Sequence, residues 1–371
     1  MAENEDSRAP ALADRLRDRI MRDGPITFHD WMEAALYDER DGYYRRADRI
    51  RQGRAGDYRT APETSPLFGA TFANYFAQCY TSLGSPGNWT IFEMGAGRGD
   101  FAHAVLTTLR TSFPDAFAAT RYLIGELGDE ARNAAAQKLS NYSDRVEFHP
   151  LEQLTPPFSG IIFSNELLDA FPVHRVIGSD GGLRELCVDV NETNEFAWRH
   201  CDLEARVAEY CERIDLRLNE GQIYEVNPGA EDFVAQAARL IDCGFLISVD
   251  YGSDRADLLN APHRHAGTLR SFQRHRMTDD VLSHPGEQDL TTTVDWTQIQ
   301  EAGARSNLET TRFERLDKFL LSEGLLESLS SLNGQGLDTA GAVSLQLSAR
   351  EMIRPDGLAA SFQVLIQQKR R

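Results

Sequence analysis

Trp89-Thr90-Ile91-Phe92-Glu93-Met94-Gly95-Ala96-Gly97-Arg98-Gly99 decides the reading of this chain. Trp89 to Glu93 is a short apolar run with the look of a buried strand, and Phe101 to Leu109 follows with helical spacing. The segment between them is a glycine-rich turn. Glycines let a backbone turn sharply and approach a ligand closely, and a helix N-terminus favours a negative group. A tight strand–helix turn with no ligand would use the same residues.

Outward from this turn the chain alternates strand and helix. Tyr122 to Leu127 reads as strand, Asp129 to Leu139 as helix and Val146 to Phe148 as a small strand; Gly160 to Ser164 is a buried strand behind Pro156-Pro157-Phe158-Ser159. Further on come a hairpin or two over Val173 to His200, turning at Asp180-Gly181-Gly182, then helices over 202–218 and 229–242. A strand follows over Gly244 to Asp250, with late strands over Ser306 to Phe313 and Ser361 to Ile366 and helical patterning between them. Such alternation implies an α/β fold, a mainly parallel sheet with helices on both faces. Upstream, residues 1–10 are expected to be disordered. Ala11 to Arg22 and Thr27 to Tyr37 read as helices, the second with Asp30 three residues after Thr27 as a weak capping box. Asp38 to Arg59 reads as loop, and Ser65 or Pro66 opens a helix that lines Leu67, Phe68, Phe72, Tyr75 and Phe76 along one buried face.

Composition narrows the function. The chain has 371 residues and a formal net charge of −18, which disfavours a nucleic-acid partner because phosphate binding wants clustered Lys and Arg. No run reaches the roughly 18 apolar residues of a membrane helix. The N-terminal MAENEDSRAPALADRLRDRI lacks a signal-peptide core and is too acidic for an organelle transit peptide, so a cytoplasmic location is expected. Cys79, Cys187, Cys201, Cys211 and Cys243 form no CxxC pair and have no His at ligand spacing, so no metal is expected.

Three pieces carry chemistry. A dinucleotide-binding turn wants GxGxxG. Here Asp100 stands at the last position, leaving GxGxG with Glu93 just before it, a pattern that favours a cofactor ending in a small amino acid and bearing an ammonium and a sulfonium. Glu126 closes the next strand about 30 residues on, where an acid meets a ribose diol in a βαβ unit. Alone it would suit NAD as well, or be an ordinary strand-end acid. Ser164-Asn165-Glu166-Leu167-Leu168-Asp169-Ala170-Phe171-Pro172 follows the fourth strand. Ligands of open α/β sheets sit beyond the carboxyl ends of the strands, so Asn165, Glu166 and Asp169 are candidates to face a transferred methyl and its acceptor. The alternative is a short helix with Asn165 as its N-cap.

These stretches, in order, resemble the MidA-type methyltransferase family. So do Gly24-Pro25-Ile26-Thr27-Phe28 through Tyr37-Asp38, Gly42-Tyr43-Tyr44 and the loop Gly56-Asp57-Tyr58-Arg59-Thr60-Ala61-Pro62-Glu63-Thr64-Ser65-Pro66-Leu67-Phe68-Gly69. Tyr224-Glu225-Val226-Asn227-Pro228, Asp250-Tyr251-Gly252 and Gly267-Thr268-Leu269-Arg270 through Asp295 complete the likeness. The departures are Met94-Gly95-Ala96-Gly97 where relatives commonly read L-G-P-G, Gly128 where Ser is common, and an unalignable 173–220.

The resemblance implies a Rossmann-like class I methyltransferase sheet with helices on both faces and S-adenosyl-L-methionine as cofactor. It gives an N-terminal helical extension and cofactor-covering loop over 1–88, and a methyltransferase domain over 89–371 with an insertion after the fourth strand at about 173–220. Glu93, Gly95, Gly97 and Gly99 would hold the methionine end and Glu126 the ribose. Asp57, Thr60, Pro62, Glu63 and Ser65 belong to the loop that would close over the cofactor. Mitochondrial members methylate an arginine on a complex I subunit, so a protein arginine is the expected acceptor and a homodimer is compatible. A guanidinium is protonated at neutral pH, with a pKa of roughly 12.5–13.8, and a carboxylate pair can grip it bidentately. Glu166, Asp169 and Glu225 are the acids expected to do so, with Asn165 beside them and Arg270, His275 and Asp280 behind them. Methylation of a small metabolite, a non-catalytic assembly role and a nicotinamide dehydrogenase are the alternatives.

Overall fold

The strand Trp89–Met94 lies inside an eight-stranded sheet. The structure, a computed structural model, describes residues 11–46, 65–155, 157–273, 276–278, 280–334 and 338–370. Residues 1–10, expected to be disordered, and 47–59 of the expected loop lie outside the described residues. The chain divides into two units, and the larger draws its described residues from Ala47–Ala170, Gly229–Leu258 and Thr293–Arg371.

In that unit the strands are β1 (Trp89–Met94), β2 (Thr120–Gly125), β3 (Val146–Phe148), β4 (Phe158–Asn165), β5 (Ile241–Ser253), β6 (Val294–Asp295), β7 (Glu309–Arg315) and β8 (Phe362–Lys369). Their order is β3-β2-β1-β4-β5-β8-β7, with β6 paired to the end of β5. The pairs from β3 through β5 are parallel, whereas β8 runs antiparallel to both β5 and β7. Chain order reverses between β1 and β4, the switch point beyond which open α/β sheets bind ligands. β1 is covered on both faces, and Trp89, Ile91 and Phe92 are fully buried, as a central parallel strand requires.

Helix Pro66–Ser82 begins where expected: Ser65 Oγ accepts the Leu67 N–H at 3.2 Å and proline fills the first turn. Its Phe68, Phe72 and Phe76 pack against Phe101 of helix Asp100–Ser112 and Phe163 of β4, which stack at 4.3 Å between ring centroids. Each such buried ring contributes roughly 1.5–3 kcal/mol through lost apolar hydration. The glycine turn at the head of helix Asp100–Ser112 is therefore anchored from below by an aromatic core.

The smaller unit has its described residues within Met1–Arg46, Phe171–Pro228 and Leu259–Thr292. Strands His174–Ser179 and Gly182–Val190 form the expected hairpin, turning on Asp180 and Gly181 at φ 53° and 74°. Phe196–Cys201 and Ile223–Val226 extend the sheet, and Ile26 and Thr27 pair antiparallel with Val188 and Cys187. That last pairing draws the N-terminal segment and the segment expected as an insertion into one unit. Thr27 Oγ1 then caps helix Phe28–Tyr37 by accepting the Asp30 N–H at 3.1 Å. Sequence reasoning did not anticipate a second sheet here, formed by Arg270–Gln273, Arg276–Thr278 and Asp289–Thr291.

Candidate cofactor and acceptor site

The glycine turn leaves β1 through three residues in the left-handed region: Gly95 at φ 67°, Gly97 at 53° and Gly99 at 78°. Gly95 is exposed, and its N–H donates to the Gly125 carbonyl at 2.8 Å, tying the turn to β2. A side chain on Gly99 would press on Ala135 at 3.1 Å. Glu93, one residue before the end of β1, turns inward. Its carboxyl is buried and accepts from Tyr122 Oη at 2.6 Å, and burial pushes it up to about 8.

Glu126 stands just past β2. One of its oxygens accepts the Gly97 N–H at 2.9 Å and the other the Gly128 N–H at 2.8 Å. The expected ribose acid is thus hydrogen-bonded to the expected methionine-end turn. Exposed backbone at Gly95, where no side chain blocks close approach at the switch point, and a carboxylate with two acceptor oxygens beside it suit an amino acid joined to a ribose diol. The residues present therefore fit S-adenosylmethionine.

The third piece lies against the first. Leu167 Cδ1 is 3.3 Å from the point where a Gly95 side chain would begin. β4 ends at Asn165, whose Nδ2 donates to Glu166 Oε1 at 3.1 Å. Glu166 adopts φ 50°, a conformation that costs a non-glycine residue on the order of 1–3 kcal/mol and persists only when its surroundings enforce it. Its N–H donates to the Val249 carbonyl at 2.9 Å.

No helix follows Asn165, so the helix-cap alternative is not realised. The N–H groups of Leu167, Leu168 and Asp169 instead converge on Asp250 Oδ2 at 3.2, 3.0 and 3.3 Å, while Oδ1 accepts the Tyr251 N–H at 2.9 Å. Asp250 is 1% exposed. Its burial and the nearby Asp169 and Glu166 charges push its carboxyl up, against the pull of the N–H donors. Asp169 is also buried and accepts a short hydrogen bond from Tyr251 Oη. Asp250 and Tyr251 belonged to a recognised motif but had no expected role, because their placement follows from the pairing of Val249 with Asn165 across two distant strands.

Glu225 has a different neighbourhood. It lies in the smaller unit on strand Ile223–Val226, buried against Arg175 Nε at 3.3 Å, and accepts from Thr268 N–H at 2.9 Å and Thr268 Oγ1 at 3.1 Å. Arg175 also donates to the Ala266 carbonyl at 3.0 Å and lies over the Trp198 ring. The Glu225 carboxylate is thus committed to an ion pair inside its own unit. Of the loop residues, Ser65 is a buried helix cap, whereas Asp57, Thr60, Pro62 and Glu63 lie outside the described residues, as does His275. Arg270 and Asp280 lie in the smaller unit.

Residues 71–314 match a protein family described as S-adenosyl-L-methionine-dependent methyltransferase. A Burkholderia thailandensis protein crystallised with S-adenosyl-homocysteine superposes with a TM-score of 0.84 at 28% identity, covering 96% of this chain and 92% of that one. The Drosophila melanogaster mitochondrial protein arginine methyltransferase NDUFAF7 homolog is 26% identical over 326 residues, 80% of this chain and 71% of its own length. Rattus norvegicus mitochondrial protein arginine methyltransferase NDUFAF7 is 25% identical over 351 residues, 88% of this chain and 76% of its own. These names correct the cytoplasmic expectation drawn from the acidic N-terminus, since the relatives carrying the likeness are mitochondrial proteins. Among the described residues no helix is long and apolar enough to cross a membrane.

Proposed function

The chain belongs to this family of S-adenosyl-L-methionine-dependent methyltransferases, and on that premise we propose that its acceptor is an arginine side chain of a partner protein. Its larger unit carries the class I methyltransferase fold. The observation that supports arginine is the gathering of carboxylates at the ends of β4 and β5. The Glu166 and Asp169 charges lie close enough to Asp250 to push its carboxyl up, beside the cofactor turn. Such a cluster favours a cationic guest. The protein arginine methyltransferase names of the fly and rat relatives point the same way.

S-adenosylmethionine supplies a methyl group activated on a sulfonium sulfur. The protein has to bind, orient and manage charge. Glu126 takes the ribose hydroxyls and the backbone of Gly95, Gly97 and Gly99 faces the methionine end, with Glu93 supporting the turn from the core side. The family resemblance assigns Asp57, Thr60, Pro62, Glu63 and Ser65 to a loop over the cofactor; the first four lie outside the described residues, and Ser65 caps the helix that follows. Glu166 and Asp169 grip the guanidinium and draw its positive charge away from the attacking nitrogen, with Asn165 orienting Glu166. The Glu166 carboxylate receives the proton that the nitrogen loses. Glu225, bound to Arg175, holds the smaller unit together.

The test is transfer of labelled methyl to host-lysate protein, with the modified residue identified by mass spectrometry. Glu166→Gln is expected to lose transfer while S-adenosyl-homocysteine binding stays intact. Full transfer in that variant removes Glu166 from the mechanism. Label confined to low-molecular-weight material replaces a protein acceptor with a metabolite.

A further inference from the structure

We propose that Asp250 and Tyr251 are positioning residues for the acceptor side. Asp250 fixes the backbone of the Asn165–Asp169 turn, and Tyr251 fixes the Asp169 carboxylate. The inference rests on the acceptor reading of Glu166 and Asp169 given above.

β4 and β5 run parallel with Asn165 opposite Val249, so β4 ends beside Asp250 and Tyr251, which continue β5 in its pairing with β8. On β4 the chain must turn at once. It does so without forming a helix, and the N–H groups of Leu167, Leu168 and Asp169 turn toward β5. Buried N–H groups without acceptors are costly, and these three converge on one carboxylate oxygen of Asp250. Successive backbone amides that point at one acceptor form a concave nest of the kind that also binds anions. The same curl carries Glu166 into its left-handed conformation, and the Glu166 N–H on the Val249 carbonyl closes the arrangement.

Tyr251 adds the side-chain half. Its hydroxyl donates to Asp169 Oδ2, and its ring packs edge-on against Phe362 of β8 at 5.6 Å between centroids. The phenol is therefore itself fixed, and a fixed donor holds the carboxylate in one orientation. Bidentate binding of a guanidinium needs two oxygens in a set plane. Asp250 and Tyr251 act on the Asn165–Asp169 turn, so their loss is expected first in turnover; Leu167, held by Asp250, lies against Gly95, and cofactor affinity is therefore read beside it.

The decisive experiment compares full-length wild type with Tyr251→Phe, Asp250→Asn and Asp250→Ala. Three quantities are read: methyl-transfer kinetics on whichever acceptor the wild type labels, S-adenosyl-homocysteine affinity by calorimetry, and hydrogen exchange at residues 167–169. Tyr251→Phe is expected to lower kcat by about tenfold or more, the effect of one hydrogen bond to a charged group, with cofactor affinity unchanged. Asp250→Ala should speed exchange at 167–169 and leave the glycine turn protected. Asp250→Asn, which keeps one acceptor oxygen, should recover part of both losses.

Wild-type kcat in Tyr251→Phe, or wild-type protection at 167–169 in both Asp250 variants, overturns the proposal. If Asp250→Ala does not fold, Asp250→Asn and Tyr251→Phe decide it alone. Mass spectrometry of the wild-type product tests the arginine reading separately. A non-arginine product sinks that reading while the variant ratios still judge the positioning role. If the wild type labels nothing, the exchange data judge it.

Discussion

The glycine turn Gly95–Gly99 and the acidic turn Asn165–Asp169 both carry the chain off the end of a parallel strand, and they are made rigid by opposite means. The first uses residues that tolerate positive φ and carry no side chain, and its Gly95, Gly97 and Gly99 N–H groups bond to Gly125 O, Glu126 and Ala96 O. The second forces a glutamate to positive φ and spends its N–H groups on an internal carboxylate, so its shape is imposed from β5. One turn keeps side chains out of a ligand's way. The other consumes backbone in order to present side chains.

The sharpest way to break this contrast is to make the glycine turn pay for a side chain. Gly95→Val places a β-branched residue at φ 67° against Leu167, and S-adenosyl-homocysteine affinity should fall more than about a hundredfold by calorimetry. Next in size is Glu126→Ala, which removes both acceptor oxygens. Affinity should drop on the order of tenfold to a hundredfold, and Glu126→Gln, with one acceptor oxygen left, should fall between it and wild type.

A third prediction concerns Glu93. Its folded-state carboxyl sits at about 8, above the ordinary 4.5, so the folded protein keeps a proton that the unfolded chain releases. Stability should therefore decline as pH rises from about 5 to 8, by up to roughly 1.4 kcal/mol per pH unit from this group. In Glu93→Gln the decline should be visibly shallower in urea melts across that range. An equal slope in the two proteins would place the pH dependence elsewhere.

The smallest effect sharpens the contrast from the other side. Glu166→Gly relieves the backbone strain of the acidic turn and should raise stability by ~1 kcal/mol while methyl transfer is lost. A gain in denaturant midpoint with no transfer is the expected pair of readings. A destabilised variant would mean that Asp250 does not hold the turn against its own preference.

How legible each turn was in the sequence follows from the same difference. Ser65, Thr27, the glycines and the Asp180-Gly181-Gly182 hairpin announce themselves because their partners lie within a few residues. Glu126 was readable because a βαβ unit fixes its distance from the turn. The curl at Asn165–Asp169 was not, because neither the φ of Glu166 nor the acceptor of its neighbours' N–H groups is encoded nearby. The loss of Glu225 to Arg175 was hidden for a related reason. Three acids with similar neighbours in sequence looked alike, and only the pairing of strand Ile223–Val226 with His174–Ser179 shows that Arg175 stands opposite one of them.

The carboxylate that holds the acidic turn lies 81 positions downstream of Asp169. For protein engineering this makes the turn non-portable. Copying 165–169 into a related scaffold would move the recognition groups without their clamp, and the graft would settle into some other shape. A transplant has to carry two separated strand ends together, and a library that diversifies acceptor preference should vary positions 166 and 169 while holding 250 and 251 constant.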